Sequence, residues 1–362
     1  MDVTFLPQEM DFGEMKIPTM IDISAAWYGA DLRNKSELWS YQLSSEEISE
    51  LENAASNFIK SGEPLGKISK KSFRLPKLGS ILAKLQNELR EGLGFKLIRG
   101  LPVKKYDAAT YSTIFCGIGS HLGLARSQNA AGHLLGHVRD IGLDVANPTT
   151  RVYQTTARQH FHTDSCDVVG LLCLREAKEG GKSMLASSVT IYNEMSRRNP
   201  DLVKALFEPI ARDRRGEIPV GQKPFYKIPV FNWYKDYLTC FYHREYIDSA
   251  QRYEEAPKLK AEQVEALNLF DQIANEEAVY LGMQFRPGDM QFVYNHNLLH
   301  DRTEFIDWPD PDKRRHLLRL WLALPTDRPL PESFAQRYGS IEIGIRGGIE
   351  TKETVLQVPL DA

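Results

Sequence analysis

Apolar positions recur at three- and four-residue steps over residues 44–60, where Ile48, Leu51, Ala54, Ala55, Phe58 and Ile59 follow Ser44, Ser45, Glu46 and Glu47. This pattern predicts a capped amphipathic helix that Ser61-Gly62 stops. Leu78, Ile81, Leu82, Leu85 and Leu89 predict a second helix over about 78–91, ended by Gly92. Phe95, Leu97 and Ile98 then lead as a short strand into Gly100-Leu101-Pro102, and 106–122 returns to helical spacing.

The period changes in the middle of the chain. Segments 151–156, 160–175 and 183–189 are rich in Val, Leu, Thr, Phe and Tyr and are separated by turn residues, which predicts strands. Residues 191–282 read as an insertion near the mouth of a site, with helices near 191–207 and 259–281 around a Pro-, Tyr- and Phe-rich stretch at 217–242. Its aromatic side chains (Phe225, Tyr226, Phe231, Trp233, Tyr234), with Trp27 and Tyr28, are candidates to roof a pocket. After the turn Arg286-Pro287-Gly288-Asp289, alternation resumes at Met290, Phe292 and Tyr294, and a last apolar strand covers 317–324.

Neither strand block alone can bury two sheet faces, so the two must join in one sheet system. The expected architecture is a single domain over 1–362, mainly β with helical decoration. Its core is a double-stranded β-helix, the jelly-roll form of a distorted barrel, preceded by a largely helical part at 1–92.

With 362 residues, 42% hydrophobic and 26% charged, the composition is that of a globular chain. A net charge of −3 offers no global positive field, which argues against nucleic acid and anionic lipid as partners. The basic run Arg212, Arg214 and Arg215 reads as a solvated face. The first residues, with Glu9, Asp11 and Glu14, lack the basic start and apolar stretch of a signal peptide, and nothing in the chain reads as a membrane span. Cys116, Cys166, Cys173 and Cys240 form no CxxC pair, so buried reduced thiols and a cytoplasmic location are expected. A homo-oligomer is left open.

Chemistry enters with the histidines. In His162-Thr163-Asp164, side chains two apart on an extended segment share a face, so His162 and Asp164 converge. A third ligand is offered by His300 in Tyr294-Asn295-His296-Asn297-Leu298-Leu299-His300. Two histidines and one carboxylate leave three coordination positions open, which suits Fe(II) with a chelating cosubstrate and O₂. A zinc hydrolase remains the alternative, and the arginines bear on it. Arg315, Leu317, Arg319 and Trp321 share one face of an apolar strand, and inward guanidinium groups require anions, as an oxo-diacid would supply. His160 shares the parity of His162. His296 and His316 read as packing or surface residues, and His121, His133, His137 and His243 show no paired acid at ligand spacing. Gln128 and Asn129, ahead of a glycine-containing loop, are candidate substrate contacts.

On His162-Thr163-Asp164, the Gly180-Gly181-Lys182-Ser183 turn, His300, the Arg315/Arg319 pair and the stretch from Gly94 to Gly100, the chain resembles the taurine/2,4-D dioxygenase group of Fe(II)- and 2-oxoglutarate-dependent oxygenases, the branch that includes clavaminate synthase. The resemblance implies that His162, Asp164 and His300 bind iron and that Arg315 grips the distal carboxylate of 2-oxoglutarate. It further implies that Ser183 donates to that carboxylate and that Arg319 lies near the C1 carboxylate and the substrate's acidic group. The gap from Asp164 to Ser183 is shorter, and that from His300 to Arg315 longer, than in the family. The second departure leaves Arg314 as a rival anchor, with strand parity favouring Arg315. The implied reaction is O₂-dependent hydrogen abstraction from a small amino-acid-like or sulfonic substrate, ending in hydroxylation, desaturation or ring closure. A catalytically silent jelly-roll protein that binds a small acid or metal is the alternative from another class.

Overall fold

A computed structural model of the chain describes residues 9–12 and 15–361. The reading of the first residues as leaderless therefore falls largely on positions, 1–8 and 13–14, that lie outside the described residues. The Ser45–Ser61 helix starts at a reciprocal cap, in which the Ser44 side chain accepts from the Glu47 N–H and Glu47 accepts from the Ser44 N–H. It ends at Gly62 in the left-handed conformation. With helices Leu78–Glu91 and Ala108–Leu122 it covers one face of a seven-stranded sheet, burying Leu51, Phe58, Leu82, Leu85, Ile114 and Phe115 against Leu172, Phe292, Leu318 and Leu320.

That larger sheet runs Ser40–Gln42, Phe95–Arg99, Met290–Tyr294, Val168–Arg175 and His316–Ala323, with Leu124–Arg126 and Leu135–Val138 both on the last strand. A smaller sheet runs Tyr280–Met283, Ser183–Ser187, Leu298–Arg302 and Gln159–His162. Leu185, Leu281, Met283 and Leu298 of the smaller sheet meet Val169, Cys173, Val293, Leu317 and Trp321 of the larger one in the layer between them. The two sheets form a jelly-roll core and do not close into a barrel among the described residues.

The stretch 160–175 divides between the sheets: Gln159–His162 belongs to the smaller, Val168–Arg175 to the larger, and 163–167 turns the corner. Residues 151–156 form a short 3₁₀ turn at Val152–Gln154 instead of a strand. The helix expected over 259–281 ends at Ala274, and Tyr280–Met283 forms the edge of the smaller sheet. The helix expected near 191–207 is two helices, Ser188–Arg198 and Pro200–Ala205. Asn199 caps the second and Pro200 opens it.

Arg212 and Arg214 are not solvated. Arg212 is fully buried on the Ile210–Asp213 strand and donates to the carbonyls of Ile210, Ile228 and Phe241, while Arg214 donates to those of Lys223 and Gln336. A guanidinium carries five donors, enough to serve several backbone carbonyls at once, so a charge run can be interior. All four cysteines are buried free thiols, and no described helix is long and apolar enough to cross a membrane. Phe225 and Phe231 pack in the interior, as does Trp27.

His296 and His316 are both buried. His316 meets His137 at 2.8 Å, and burial, with His137 and nearby arginines, pushes its pKa down to about 3. The unfolded chain takes up that proton near pH 6.5, so this contribution to stability is complete above pH 6.5 and is lost as pH falls toward 3. About 2 kcal/mol should disappear between pH 7 and pH 5. His316→Gln is expected to remove that part of the slope in urea unfolding at the two pH values, and an unchanged slope would contradict the assignment.

Candidate metal centre

His162 ends its strand directly opposite His300 on Leu298–Arg302, which brings the two rings to 4.1 Å between centroids. Asp164 arrives from the corner, its backbone N–H held by the Asn295 side chain at 3.0 Å. Its carboxylate lies 3.9 Å from His162 Nε2 and 3.6 Å from His300 Nε2, and the three donor atoms fall within 4.8 Å of one another. Donors at 2.0–2.2 Å from a shared ion stand about 3–4 Å apart, so small side-chain rotations close the shell. All three residues are buried.

The electrostatics suit a cation. Burial opposes a charge on Asp164, but Arg319 and the two histidines outweigh it and hold the carboxyl well below its usual range. Burial, His300 and His243 keep His162 neutral, the form that ligates. His162 Nδ1 meets the His160 carbonyl at 2.7 Å, which places the proton on Nδ1 and frees the Nε2 lone pair. His160 thus contributes its backbone while its side chain is exposed. The reason is a bulge: His300 pairs with His162 and Arg302 with Gln159, three steps on one strand against two on the other. Gln159, not His160, shares the inner face, its amide 2.9 Å from His162 Nε2.

On one side of the triad, Ser183, Arg302, Arg315 and Arg319 line a cavity together with His162 and His300. His300 and Arg302 share one face of the strand and line the cavity, while the buried Asp301 carboxylate accepts from Arg158 at 2.7 Å. Arg302 and Arg315 lie 4.7 and 5.2 Å from the Phe305 ring. Arg302 Nε and Nη1 and Arg315 Nη1 are buried without a hydrogen-bond partner. Burial pushes Arg315 down to about 10, and burial with Arg315 beside it takes Arg302 to about 9. Arg314 is exposed. Gly180 and Gly181 adopt φ of 75° and 66°, and a Cβ on Gly181 would stand 3.1 Å from Arg315 Nε, so this turn leaves room for the guanidinium.

On the other side, Asp164 lines a second cavity with Tyr226, His243, Tyr246, Arg319 and Arg337. His243 does have an acid partner, Glu245, 3.0 Å away, and its ring stacks on Tyr246 and lies 4.9 Å from that of His162. Glu245 is two residues on, a His-x-Glu spacing open to a sequence reading.

Gln128 is not available to a substrate. Its amide donates to the carbonyls of Leu134 and Arg319 and its oxygen accepts from Arg319 Nε, so it positions that arginine. Asn129 closes its own loop on His133. Arg319 lies between the two cavities, 3.5 Å from Asp164, beside a 2.8 Å hydrogen bond from Trp321 to the same carboxylate oxygen.

A second group of possible ligands, Asp167, His296 and Asp327, surrounds the fully buried Arg346, which donates to Asp167 at 2.7 Å and Asp327 at 2.6 Å. The guanidinium fills the place a cation would take.

The donor set therefore fits a metal, and the unpartnered guanidinium nitrogens fit a carboxylate beside it. Comparison with known proteins agrees. The taurine catabolism dioxygenase TauD, TfdA family matches residues 61–321. The chain is 32% identical to FR-33289 synthase of Streptomyces rubellomurinus over 324 residues, covering 87% of this chain and 94% of the relative. It is also 32% identical to a taurine hydroxylase-like protein, SAT17, of Stachybotrys chartarum, covering 84% and 80%. Asparagine oxygenase bound to Fe(II), 3-hydroxyasparagine and succinate has the same fold, with a TM-score of 0.62 at 15% identity over 78% of this chain and 93% of that one. The oxygenase OrfP with iron and α-ketoglutaric acid superposes with a TM-score of 0.60 at 16% identity, covering 78% and 93%. The chain belongs to the TauD/TfdA family and is an Fe(II)- and 2-oxoglutarate-dependent oxygenase.

Proposed function

We propose that His162, Asp164 and His300 hold Fe(II), and that Arg315, Arg302 and Ser183 hold the distal carboxylate of 2-oxoglutarate in the cavity beside them. The observation that carries this reading is the pair of buried guanidinium groups with unmet N–H donors next to the triad. Such groups are costly without an anion and favourable with one. Arg319, fixed by Gln128, is placed for the C1 carboxylate. When bound, iron, 2-oxoglutarate and O₂ supply succinate, CO₂ and an oxidant able to take hydrogen from a C–H bond.

The chain's own contribution is placement. His160 and Gln128 orient a ligand and an arginine through hydrogen bonds, and the sheets on either side exclude water. Tyr226, His243 and Tyr246 of the 191–282 insertion shape the cavity across the triad, where a small amino-acid-like acid binds. Asparagine oxygenase and OrfP, of the same fold, were each solved with a hydroxylated amino acid. Which carbon faces the metal decides between hydroxylation, desaturation and ring closure.

Purified protein with Fe(II), ascorbate and 2-oxoglutarate should release succinate slowly without substrate, and the absence of turnover would refute the reading. Loss of a charge-assisted hydrogen bond costs about 1.5–3 kcal/mol, or roughly 10- to 150-fold in affinity. Arg315→Gln and Arg302→Gln should each weaken anaerobic 2-oxoglutarate binding within that range, read from the visible band of the iron complex. Arg314→Gln should leave it unchanged.

A further inference from the structure

Arg337 lies beyond the stretch that matches the family, in the short Ala335–Tyr338 helix, yet its side chain lines the cavity beside Asp164. Its Nε donates at 2.8 Å to the hydroxyl of Ser165, the residue after Asp164. It is 7% exposed and lines the cavity that contains Asp164, on the side away from Arg302 and Arg315. The other guanidinium groups there are occupied: Arg151 pairs with Glu217, and Arg319 is held by Gln128 and faces Asp164.

Arg337 is different. No carboxylate oxygen lies within salt-bridge distance of it among the described residues, and no described group accepts from its two terminal nitrogens. Arg214, whose own N–H groups serve carbonyls, stands 5.1 Å from the Tyr226 ring and Arg337 5.5 Å from the same ring. A second positive charge close by makes an uncompensated Arg337 costlier still.

Resting on the oxygenase reading above, we infer that Arg337 is the substrate-anchoring residue: its terminal N–H pair binds an anionic group, carboxylate, phosphonate or sulfonate, of the molecule to be oxidised. The fork geometry matches two oxygens of such a group. The anchor is hydrogen-bonded to Ser165, one residue past the acidic ligand, so the substrate is gripped at one end with a nearby C–H turned to the metal. Arg319 then serves the cosubstrate and Arg337 the substrate, and this division makes Arg337 a determinant of specificity.

The test uses the anaerobic Fe(II)–2-oxoglutarate holoenzyme titrated with ethylphosphonate, ethanesulfonate and propionate, with propanamide as the neutral control, followed by the shift of the visible band. Wild type should bind at least one anion saturably and at least tenfold more tightly than propanamide. R337Q should lose that preference while forming the band at unchanged 2-oxoglutarate concentration, and R337K should retain part of it. If R337Q fails to assemble the iron complex, R337K decides alone, through an anion preference between those of wild type and propanamide. Anion binding by R337Q equal to wild type, or no anion preference in wild type or R337K, would overturn the proposal. A wild-type protein that forms no band would instead remove the oxygenase reading beneath it.

Discussion

His300→Ala is expected to erase the visible iron–2-oxoglutarate band and to cut substrate-free succinate release by at least about a hundredfold. Outer partners of metal ligands are typically worth 10- to 100-fold, and a ligand removed outright is worth more. The variant leaves His162 and Asp164 in place, since His162 is held by the His160 carbonyl and Asp164 by Trp321 and Asn295. Any loss therefore reports the missing donor and not a collapsed corner. Gln159→Ala provides the contrast. Gln159 touches Nε2 of His162 without belonging to the proposed donor set, so its removal should change iron affinity by about tenfold, the low end of that range. Tight iron binding by the His300 variant, measured by competition with a chelator, would remove His300 from the centre.

The second large effect concerns stability. Arg346→Met should destabilise the protein by about 3–5 kcal/mol, because Asp167 and Asp327 would remain buried with no cation between them. Burial already raises the Asp167 carboxyl, and Arg346 is the chief opposing influence. Combining Arg346→Met with Asp167→Asn and Asp327→Asn removes the stranded charges as well, and it should recover part of the loss. Urea unfolding of the single and triple variants measures both terms. A single variant within 1 kcal/mol of wild type would show that the cluster is not held as described.

Much of this site is readable from spacing. The period-two rule puts Arg315 and Arg319 on one face, and both line one cavity while Arg314 is exposed, because the irregularity there falls on the partner strand, which uses an extra residue between Cys173 and Arg175. The same rule, applied to His300-Asp301-Arg302, puts Arg302 inside with His300, a signal equally present in the sequence. It fails at His160 and Gln159 because a bulge resets the register, and a bulge leaves no mark in hydropathy. Asp164 reaches the triad for a different reason than alternation. The strand ends at His162 and the corner supplies the rest.

Tertiary partners were invisible in the chain. Arg212 reads as surface because charge is averaged over neighbours in sequence, while two of its three carbonyl acceptors, Ile228 and Phe241, lie 16 and 29 residues on. Gln128 reads as a candidate contact because nothing local shows that Arg319, 191 residues later, takes up its amide oxygen. Arg337 and Arg346 carry no motif at all, and only their placement against 165–167 marks them.

That placement ties two properties together. The last forty residues dock Arg337 on Ser165 and Arg346 on Asp167, with Gly348 donating its N–H to the Ser165 carbonyl at 2.8 Å. The strap thus clasps the same short corner that carries Asp164. A proteolytic cut or shortened reading frame before residue 337 would cost the enzyme its grip on what it oxidises and its resistance to melting in one event. Evolutionary drift in this tail should likewise move chemical selectivity and foldedness together.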